Sequence, residues 1–253
     1  MPHTRSAVCR AILVLTFSGM AAAQAQTAAP LASCQAVSQA TPPTVLELYT
    51  SEGCSSCPPA DRWLSGLKGR SDVLALAFHV TYWDRLGWPD RFALPEGTAR
   101  QHQLAQLAGS RQVYTPQVVA NGKDWPQWHR APLPRPAAAG PSAVTVRLAR
   151  IGQQVTVDVG TVPGNAAVQL SGYWAVLEDQ HESKVRAGEN AGETLRHDHV
   201  VRLYQPVPGW AAAAGGRHQI TVGAGAPQHP RRVVFVVTDA ATQRPVQVAV
   251  LAC

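Results

Sequence analysis

Charged residues are scarce in this sequence, and the basic ones are scattered. Only 15% of the 253 residues are Asp, Glu, Lys or Arg, against 45% hydrophobic residues, which is typical of a globular chain and not of a disordered one. There is no Lys/Arg cluster of the kind that binds phosphates, so we expect no nucleic-acid partner. No run is long and apolar enough for a stable membrane span, so we expect no stable membrane anchor.

Residues 1–25 have the pattern of a secretory signal peptide. Arg5 and Arg10 form a basic start, residues 11–17 an apolar centre, and residues 23–25 a small-residue cleavage site. We therefore predict export to the periplasm or the extracellular medium after cleavage near Ala25. The alternative is a retained N-terminal anchor.

Cysteine is rare, and four of the five cysteines lie after the predicted signal peptide: Cys34, Cys54, Cys57 and Cys253. In an oxidising compartment an even number of cysteines indicates disulfides. The natural pairing joins Cys54 to Cys57 locally and Cys34 to Cys253 across the mature chain. We predict that Cys34–Cys253 is a structural disulfide, and closing so long a loop contributes about 4–5 kcal/mol in the chain-entropy model.

Cys54-Ser55-Ser56-Cys57 lies between an apolar run and the pair Pro58-Pro59, where a strand is followed by a helix. The unpaired N–H groups and positive dipole end of a helix N-terminus favour a thiolate. We predict a reversible dithiol in which Cys54, nearer solvent, attacks and Cys57 resolves the mixed disulfide. The alternatives are a small structural bridge or half of a metal site, although no second CxxC or close His pair completes a tetrahedral zinc site.

The segments around this motif predict a βαβ unit. Residues 44–51 and 72–80 read as buried strands, with a short helix over 58–67 between them. A second helix is predicted over 96–108. A strand opened by Thr115-Pro116 then reaches the hairpin signal Asn121-Gly122.

Four segments of the sequence resemble, in order, a widespread exported bacterial family. They are LELYTSEGCSSCPPAD, AFHVTYWDRLGW, YTPQVVANG and GENAGETLRHDHVVR, and together they span about residues 46–202. The family is thioredoxin-like and is catalogued only as a domain of unknown function. The resemblance implies a fold and a redox site, but it implies no substrate.

Resemblance to thioredoxin-like folds also implies the residues that bind substrate. In those folds a cis-proline opens the strand beside the redox pair. By that resemblance Pro116 is cis and Thr115 offers its backbone to an extended substrate. We expect His79, Tyr82, Trp83 and Asp84, which the family resemblance also covers, to line a groove beside the cysteines.

Two ionisable residues on the predicted strands complete the candidate site. Glu47, on an otherwise apolar strand, is predicted to exchange the proton of the resolving step, although it lies one residue out of phase with the acid that thioredoxins keep there. The alternative is a carboxylate at a strand edge that is satisfied by backbone or water. His79 with the two thiolates has the donor types that Cu(I) or Zn prefers. A hydrogen-bonded structural histidine is the alternative.

The second half of the chain has the pattern of antiparallel strands. Short alternating segments separated by Gly/Pro turns predict a β-sandwich over residues 142–253, with residues 188–198 as a polar surface loop. The fold class is therefore an α/β thioredoxin-like domain over 44–124 followed by this all-β sandwich. An irregular leader (26–43) precedes the first domain, and a Pro-rich linker (125–141) joins the two.

These observations predict an exported thiol–disulfide oxidoreductase. Its partners are protein or small-molecule thiols and disulfides, and the prediction includes neither a cofactor nor a metal. The alternative is a non-catalytic binding or Cu/Zn-handling module on the same fold. In that alternative the cysteines are ligands or a structural bridge.

Overall fold

The computed structural model describes residues 1, 33–135, 144–163 and 167–253. The predicted signal peptide after Met1, the leader before Ser33 and residues 136–141 of the linker lie outside the described residues. Leu31–Cys253 form one compact unit. No helix within the described ranges is long and apolar enough to cross a membrane.

The described residues form two α-helices, one 3₁₀ helix and fourteen strands. The helices are α1 (Pro58–Ser65) and α2 (Pro95–Leu107), with the 3₁₀ helix at Thr81–Leu86. The strands are β1 (Ser33–Val37), β2 (Thr44–Thr50), β3 (Val73–His79), β4 (Gln117–Ala120), β5 (Lys123–Asp124), β6 (Val146–Ile151), β7 (Gln154–Val159), β8 (Gln169–Glu178), β9 (His181–Lys184), β10 (Thr194–His197), β11 (Val200–Ala211), β12 (Gly216–Thr221), β13 (Arg231–Asp239) and β14 (Pro245–Leu251).

Eight strands form one mixed sheet in the order β14-β13-β8-β11-β3-β2-β4-β5. β3 runs parallel to both of its neighbours, β2 and β11, and the other pairs are antiparallel. β2 and β3 are mostly apolar because both of their faces are covered, with Glu47 and His79 as the ionisable exceptions. Leu46 and Leu48 of β2 pack towards Leu64 of α1, and Val45 and Tyr49 pack on the opposite face.

The N-terminus of α1 is compatible with its two prolines. Pro58 and Pro59 occupy the first helical positions, where the missing N–H groups have no partner in a helix anyway. Trp63 on this helix packs against Trp125 and Trp128, with ring centroids 6.0 and 5.2 Å apart. The described part of the predicted linker therefore covers α1 with apolar side chains.

A second, four-stranded antiparallel sheet has the order β1-β6-β7-β12. Its inward side chains, Leu148 and Val157 among them, share one hydrophobic core with Trp174 and Phe235 of the large sheet. The two packed sheets agree with the alternating pattern of the second half. β1 corrects the prediction of an irregular leader, because Cys34 lies on this strand and is disulfide-bonded to Cys253, as predicted.

β11 joins the two halves of the chain, which the sequence had divided into separate domains. Val200 pairs with Ala77 of β3, and along its length β11 also pairs with β8. The strand was missed because it contains Pro206 and Pro208. A register shift between Val207 and Trp210 accommodates the second of these prolines. The large sheet is thus continuous across the predicted domain boundary.

Candidate functional site

The Cys54–Cys57 motif lies where β2 gives way to α1. The two cysteines are disulfide-bonded, with Cα atoms 5.4 Å apart, which confirms the predicted pairing. Cys57 is the N-cap residue of α1, and its carbonyl accepts hydrogen bonds from the N–H groups of Ala60 (2.9 Å) and Asp61 (3.2 Å). The short apolar strand and the proline-led helix therefore place both sulfurs at the N-terminal end of a helix.

Neither cysteine is exposed in this arrangement. The accessible fraction of both Cys54 and Cys57 is 0%, whereas Ser55 and Ser56 between them are exposed. The prediction that Cys54 lies nearer solvent is therefore wrong for this conformation. A second segment of the chain is hydrogen-bonded to this motif.

That segment, residues 188–190, is called the cap segment below. The side-chain amide of Asn190 donates to the carbonyls of Glu52 (2.8 Å) and Cys54 (2.9 Å). The carboxylate of Glu189 accepts from the N–H (3.0 Å) and hydroxyl (2.7 Å) of Ser55, and these bonds lower the pKa of Glu189. Part of the predicted polar surface loop is thus bound to the cysteine motif.

Gly188 allows the cap segment to approach closely. Its φ of 75° lies in the left-handed region that favours glycine. A Cβ atom at this position would lie 3.4 Å from Cβ of Trp88 and 4.0 Å from Cα of Gly53. Both the backbone conformation and the space suit a glycine.

Three of the predicted substrate-binding residues lie at the same end of the sheet as the motif. The Thr115–Pro116 peptide bond is cis, as predicted. Antiparallel pairing of Tyr49 with Gln117 brings Pro116 next to the end of β2. The indole of Trp83 donates to the hydroxyl of Thr115 (2.7 Å), and its Cβ lies against Gly53.

Tyr82 and Asp84 make other contacts. The hydroxyl of Tyr82 lies 3.3 Å from the side-chain oxygen of Gln101 on α2. The carboxylate of Asp84 accepts from the N–H of Asp90 (3.1 Å), and burial raises its pKa. Both residues therefore hold the 3₁₀ helix in place, and no hydrogen bond described for their side chains reaches the cysteine motif.

The structure places Glu47 away from Cys54 and Cys57, which corrects its predicted role in proton transfer. Glu47 alternates with Leu46 and Leu48 along β2 and so faces away from α1. Both of its oxygens are bound by Arg100, at 2.6 and 2.8 Å, and one also accepts from Tyr49 (2.7 Å). Glu47 is therefore the partner of a buried arginine.

A buried polar cluster near α1 was not predicted as a unit. It contains three carboxylates and two imidazoles, all at most 7% exposed: Glu52, Asp61, Asp90, His79 and His197. Nδ1 of His79 lies 2.6 Å from Oδ2 of Asp90, which also accepts from the N–H of Glu52 (2.8 Å). Asp61 accepts from the hydroxyl of Thr50 (3.0 Å).

Charges within this cluster shift its pKa values in opposite directions. Burial raises the pKa of Asp61. Burial also acts to raise that of Asp90, but His79 outweighs it and lowers the pKa of Asp90 to about 2. Burial acts to lower the pKa of His79, yet the negative charges of Asp90, Asp61 and Glu52 raise it above its usual value. The carboxylates around His79 therefore favour its protonated form.

His79 does not join the cysteines in one ligand group. Within the described ranges, the group of His, Cys, Asp and Glu side chains close enough to hold a metal consists of Asp61, His79 and His197. Asp61 has a local signal, because it follows Cys57 by about one helical turn. His197 is more than 100 residues away in sequence, and only the fold brings it to this position.

Taken together, fold and site define a β-rich protein with a mixed eight-stranded sheet, in which a segment of the second half is hydrogen-bonded to a strand–helix disulfide motif. The chain belongs to the family described as "Protein of unknown function (DUF1223)", whose model matches residues 45–238. The predicted resemblance to a family of unknown function is thus confirmed. A search of curated proteins gives no significant match.

Two solved structures are similar to this chain. Protein AGR_C_4864 from Agrobacterium tumefaciens is 26% identical with a TM-score of 0.63, and the match covers 85% of this chain and 96% of that one. HBP35 of Porphyromonas gingivalis is 15% identical with a TM-score of 0.58, over 85% of this chain and 76% of that one. The second likeness concerns the fold alone.

Proposed function

We propose that this protein is a thiol–disulfide oxidoreductase that exchanges disulfides through Cys54 and Cys57. The observation that carries the proposal is the position of the Cys54–Cys57 disulfide at the junction of β2 and α1, with Cys57 as the N-cap residue. In the reduced protein, the unpaired N–H groups and the dipole of α1 stabilise a thiolate there. A stabilised thiolate is the reactive species in exchange.

We further propose that residues 44–124 form a thioredoxin-like unit. The parallel pairing of β2 with β3 around α1, followed by α2 and antiparallel β4, supports this assignment. Thr115 and Pro116 at the start of β4 then offer backbone to an extended substrate beside the motif. Trp83, bound to Thr115, forms the wall of that groove.

The exchange proceeds in two steps. A substrate thiolate attacks Cys54, the Cys54–Cys57 bond breaks, and Cys57 leaves as a thiolate. A second substrate thiolate then attacks the mixed disulfide and releases Cys54 as a thiolate. The substrate dithiol loses two electrons to the protein pair, and the reverse sequence reduces a substrate disulfide.

Attack on Cys54 requires the cap segment to move away, because neither sulfur is exposed beneath it. The hydrogen bonds of Asn190 to Glu52 and Cys54 and of Glu189 to Ser55 oppose that movement. A partner that competes for these groups opens the site as it binds. The cap segment thus limits exchange to partners that displace it.

Export through the signal peptide supplies a suitable compartment for this chemistry. Disulfides persist in the periplasm and outside the cell. The proposed partners there are protein or small-molecule thiols and disulfides.

Turnover of a fluorogenic disulfide peptide with a thiol co-substrate tests the proposal. Cys54→Ser is expected to abolish turnover, and Cys57→Ser to accumulate a mixed disulfide at Cys54. Gln103→Ala, at an exposed position on α2, is the control and keeps activity. Wild-type protein that never forms a mixed disulfide, even after prolonged incubation with dithiol substrates, contradicts the proposal and leaves a structural bridge.

A further inference from the structure

We propose that Asp61, His79 and His197 bind a divalent transition-metal ion of the zinc type, at a site that uses neither cysteine. One ligand atom from each residue lies within 4.8 Å of one ligand atom from each of the others, and all three side chains are buried. Two imidazoles and a carboxylate are the donors that zinc takes in open sites, where a fourth position remains for water or substrate.

The hydrogen bonds of His79 have the arrangement of a metal-ligating histidine. Its Nδ1 lies 2.6 Å from Asp90, while its Nε2 is buried and has no hydrogen-bond partner. Histidines that ligate metals typically donate their second N–H to a carboxylate, which fixes the tautomer and orients the ring. Asp90 is itself held by the N–H groups of Glu52 (2.8 Å) and Phe92 (2.9 Å).

His197 also has a carboxylate beside one ring nitrogen. Its Nε2 lies 3.2 Å from Oε1 of Glu52, close enough for an ion pair but misaligned for a hydrogen bond, while Nδ1 is buried without a partner. Glu52 is fixed by the indole N–H of Trp88 at 2.7 Å. Each imidazole therefore has a carboxylate near one nitrogen and no hydrogen bond at the other.

Charge also favours a cation at this position. Glu52, Asp61 and Asp90 are three carboxylates at most 7% exposed, and burying negative charge without compensation is costly. A bound divalent cation balances part of that charge.

A cavity gives the ion a route from solvent. Its volume is about 320 Å³, and its lining includes Asp61 and His197 together with Pro58 and Leu195. Arg62 and Arg196 also line it, but both side chains are exposed, so water screens their charges. Two of the three proposed ligands are thus reached from outside without unfolding.

Metal titration of the full chain with both disulfides intact tests this site. Zn²⁺ is titrated in competition with a chromophoric chelator after removal of bound metal, and Co²⁺ serves as the spectroscopic probe. We expect one ion per chain and visible Co²⁺ absorption without thiolate-to-cobalt charge transfer. Zn²⁺ should also raise the melting temperature of the wild type, since binding to the folded state alone stabilises it.

Three variants and one control assign the ligands. Asp61→Asn and His197→Gln should each weaken Zn²⁺ binding at least about tenfold, and Asp90→Asn about 10- to 100-fold as an outer partner. His102→Gln, at an exposed site on α2, should bind like the wild type. Circular dichroism checks that each variant is folded.

Three results overturn the proposal. The first is disulfide-intact wild type that neither binds Zn²⁺ or Co²⁺ nor melts higher with Zn²⁺. The second is unchanged affinity in the folded Asp61→Asn and His197→Gln variants. The third is binding only after reduction, with thiolate charge-transfer bands that Cys54→Ser removes. Failure of disulfide exchange alone leaves this site unaffected, because the titration involves no free thiol.

Discussion

At the scale of single residues, Asn190 joins the two halves of the site. Its side-chain amide donates to two backbone carbonyls of the cysteine segment, those of Glu52 and Cys54, and it is only 6% exposed. A buried amide with both donor hydrogens used in this way holds two chain segments together. We therefore expect access to the disulfide to depend on one side chain more than 130 residues away in sequence.

Asn190→Ala removes both hydrogen bonds and leaves two carbonyls without their partner. We expect a loss of about 1–3 kcal/mol in the free energy of unfolding. If the substitution lowers the free energy of opening the cap segment by about 1.4 kcal/mol, reduction of Cys54–Cys57 becomes roughly tenfold faster. The rate is measured with a water-soluble phosphine as reductant. Glu193→Ala, an exposed change close to the cap segment, is the control, and equal reduction rates in both variants contradict the gating role.

Glu47→Gln separates a stabilising role from a catalytic one. Arg100 then becomes a buried charge with no carboxylate partner, which costs about 3–5 kcal/mol in the free energy of unfolding. Because Glu47 faces away from α1, the rate of disulfide exchange and its pH profile should stay unchanged. Urea denaturation and single-turnover exchange check the two halves of this prediction, and a slower resolving step would restore the proton-transfer role.

At the scale of secondary-structure elements, the first half of the chain was predicted well because its signals are local. Continuous apolar runs gave β2 and β3, the proline pair marked the start of α1, and Asn121-Gly122 marked the turn after β4. The observed φ values of 48° and 76° at that turn agree with the sequence signal.

The long-range elements could not be predicted in the same way. β11 was not predicted because it contains two prolines. Residues 188–198 were predicted as a surface loop because they are polar and show no periodicity. Glu189 and Asn190 bind groups of residues 52–55, which lie between β2 and α1, and His197 lies against the rings of His79 and Phe92. Nothing in the spacing of Glu189, Asn190 or His197 reveals those partners before the chain is folded.

Gly172 on β8 tests the packing of the large sheet. A Cβ atom there would lie 2.8 Å from Cζ of Phe235 and 2.8 Å from the carbonyl oxygen of Val236. Gly172→Ala is expected to cost about 1–3 kcal/mol because the neighbouring strand β13 must shift. Gly223→Ala, where no atom lies within 4 Å, is the matched control, and equal melting temperatures of the two variants contradict this packing.

At the scale of the whole molecule, one continuous sheet replaces the two predicted domains. Pairing of β3 with β11 joins the motif-bearing strands to the sheet that carries Trp174. The two halves of the described chain therefore contribute strands to one sheet, which two independent domains would not do. The Cys34–Cys253 disulfide connects β1, the first described strand, to the residues that follow β14, the last one.

This continuity predicts one unfolding transition for the oxidised protein. Tryptophan fluorescence and far-ultraviolet circular dichroism should give coincident urea curves, because Trp63 and Trp174 lie in one cooperative unit. Replacing Cys34 and Cys253 together with Ala should lower the free energy of unfolding by about 4–5 kcal/mol. Two separated transitions in the wild type contradict the single unit.

The reduction potential of Cys54–Cys57 shows whether this pair is able to exchange disulfides with substrates. Thiol titration of the Cys34→Ala/Cys253→Ala variant in glutathione and dithiothreitol buffers isolates this pair. We predict that Cys54–Cys57 is a reversible two-electron couple with a potential between about −120 and −270 mV, the range of exchange-active dithiols. A potential below about −300 mV, typical of structural disulfides, or a pair that never equilibrates with the buffer, contradicts it.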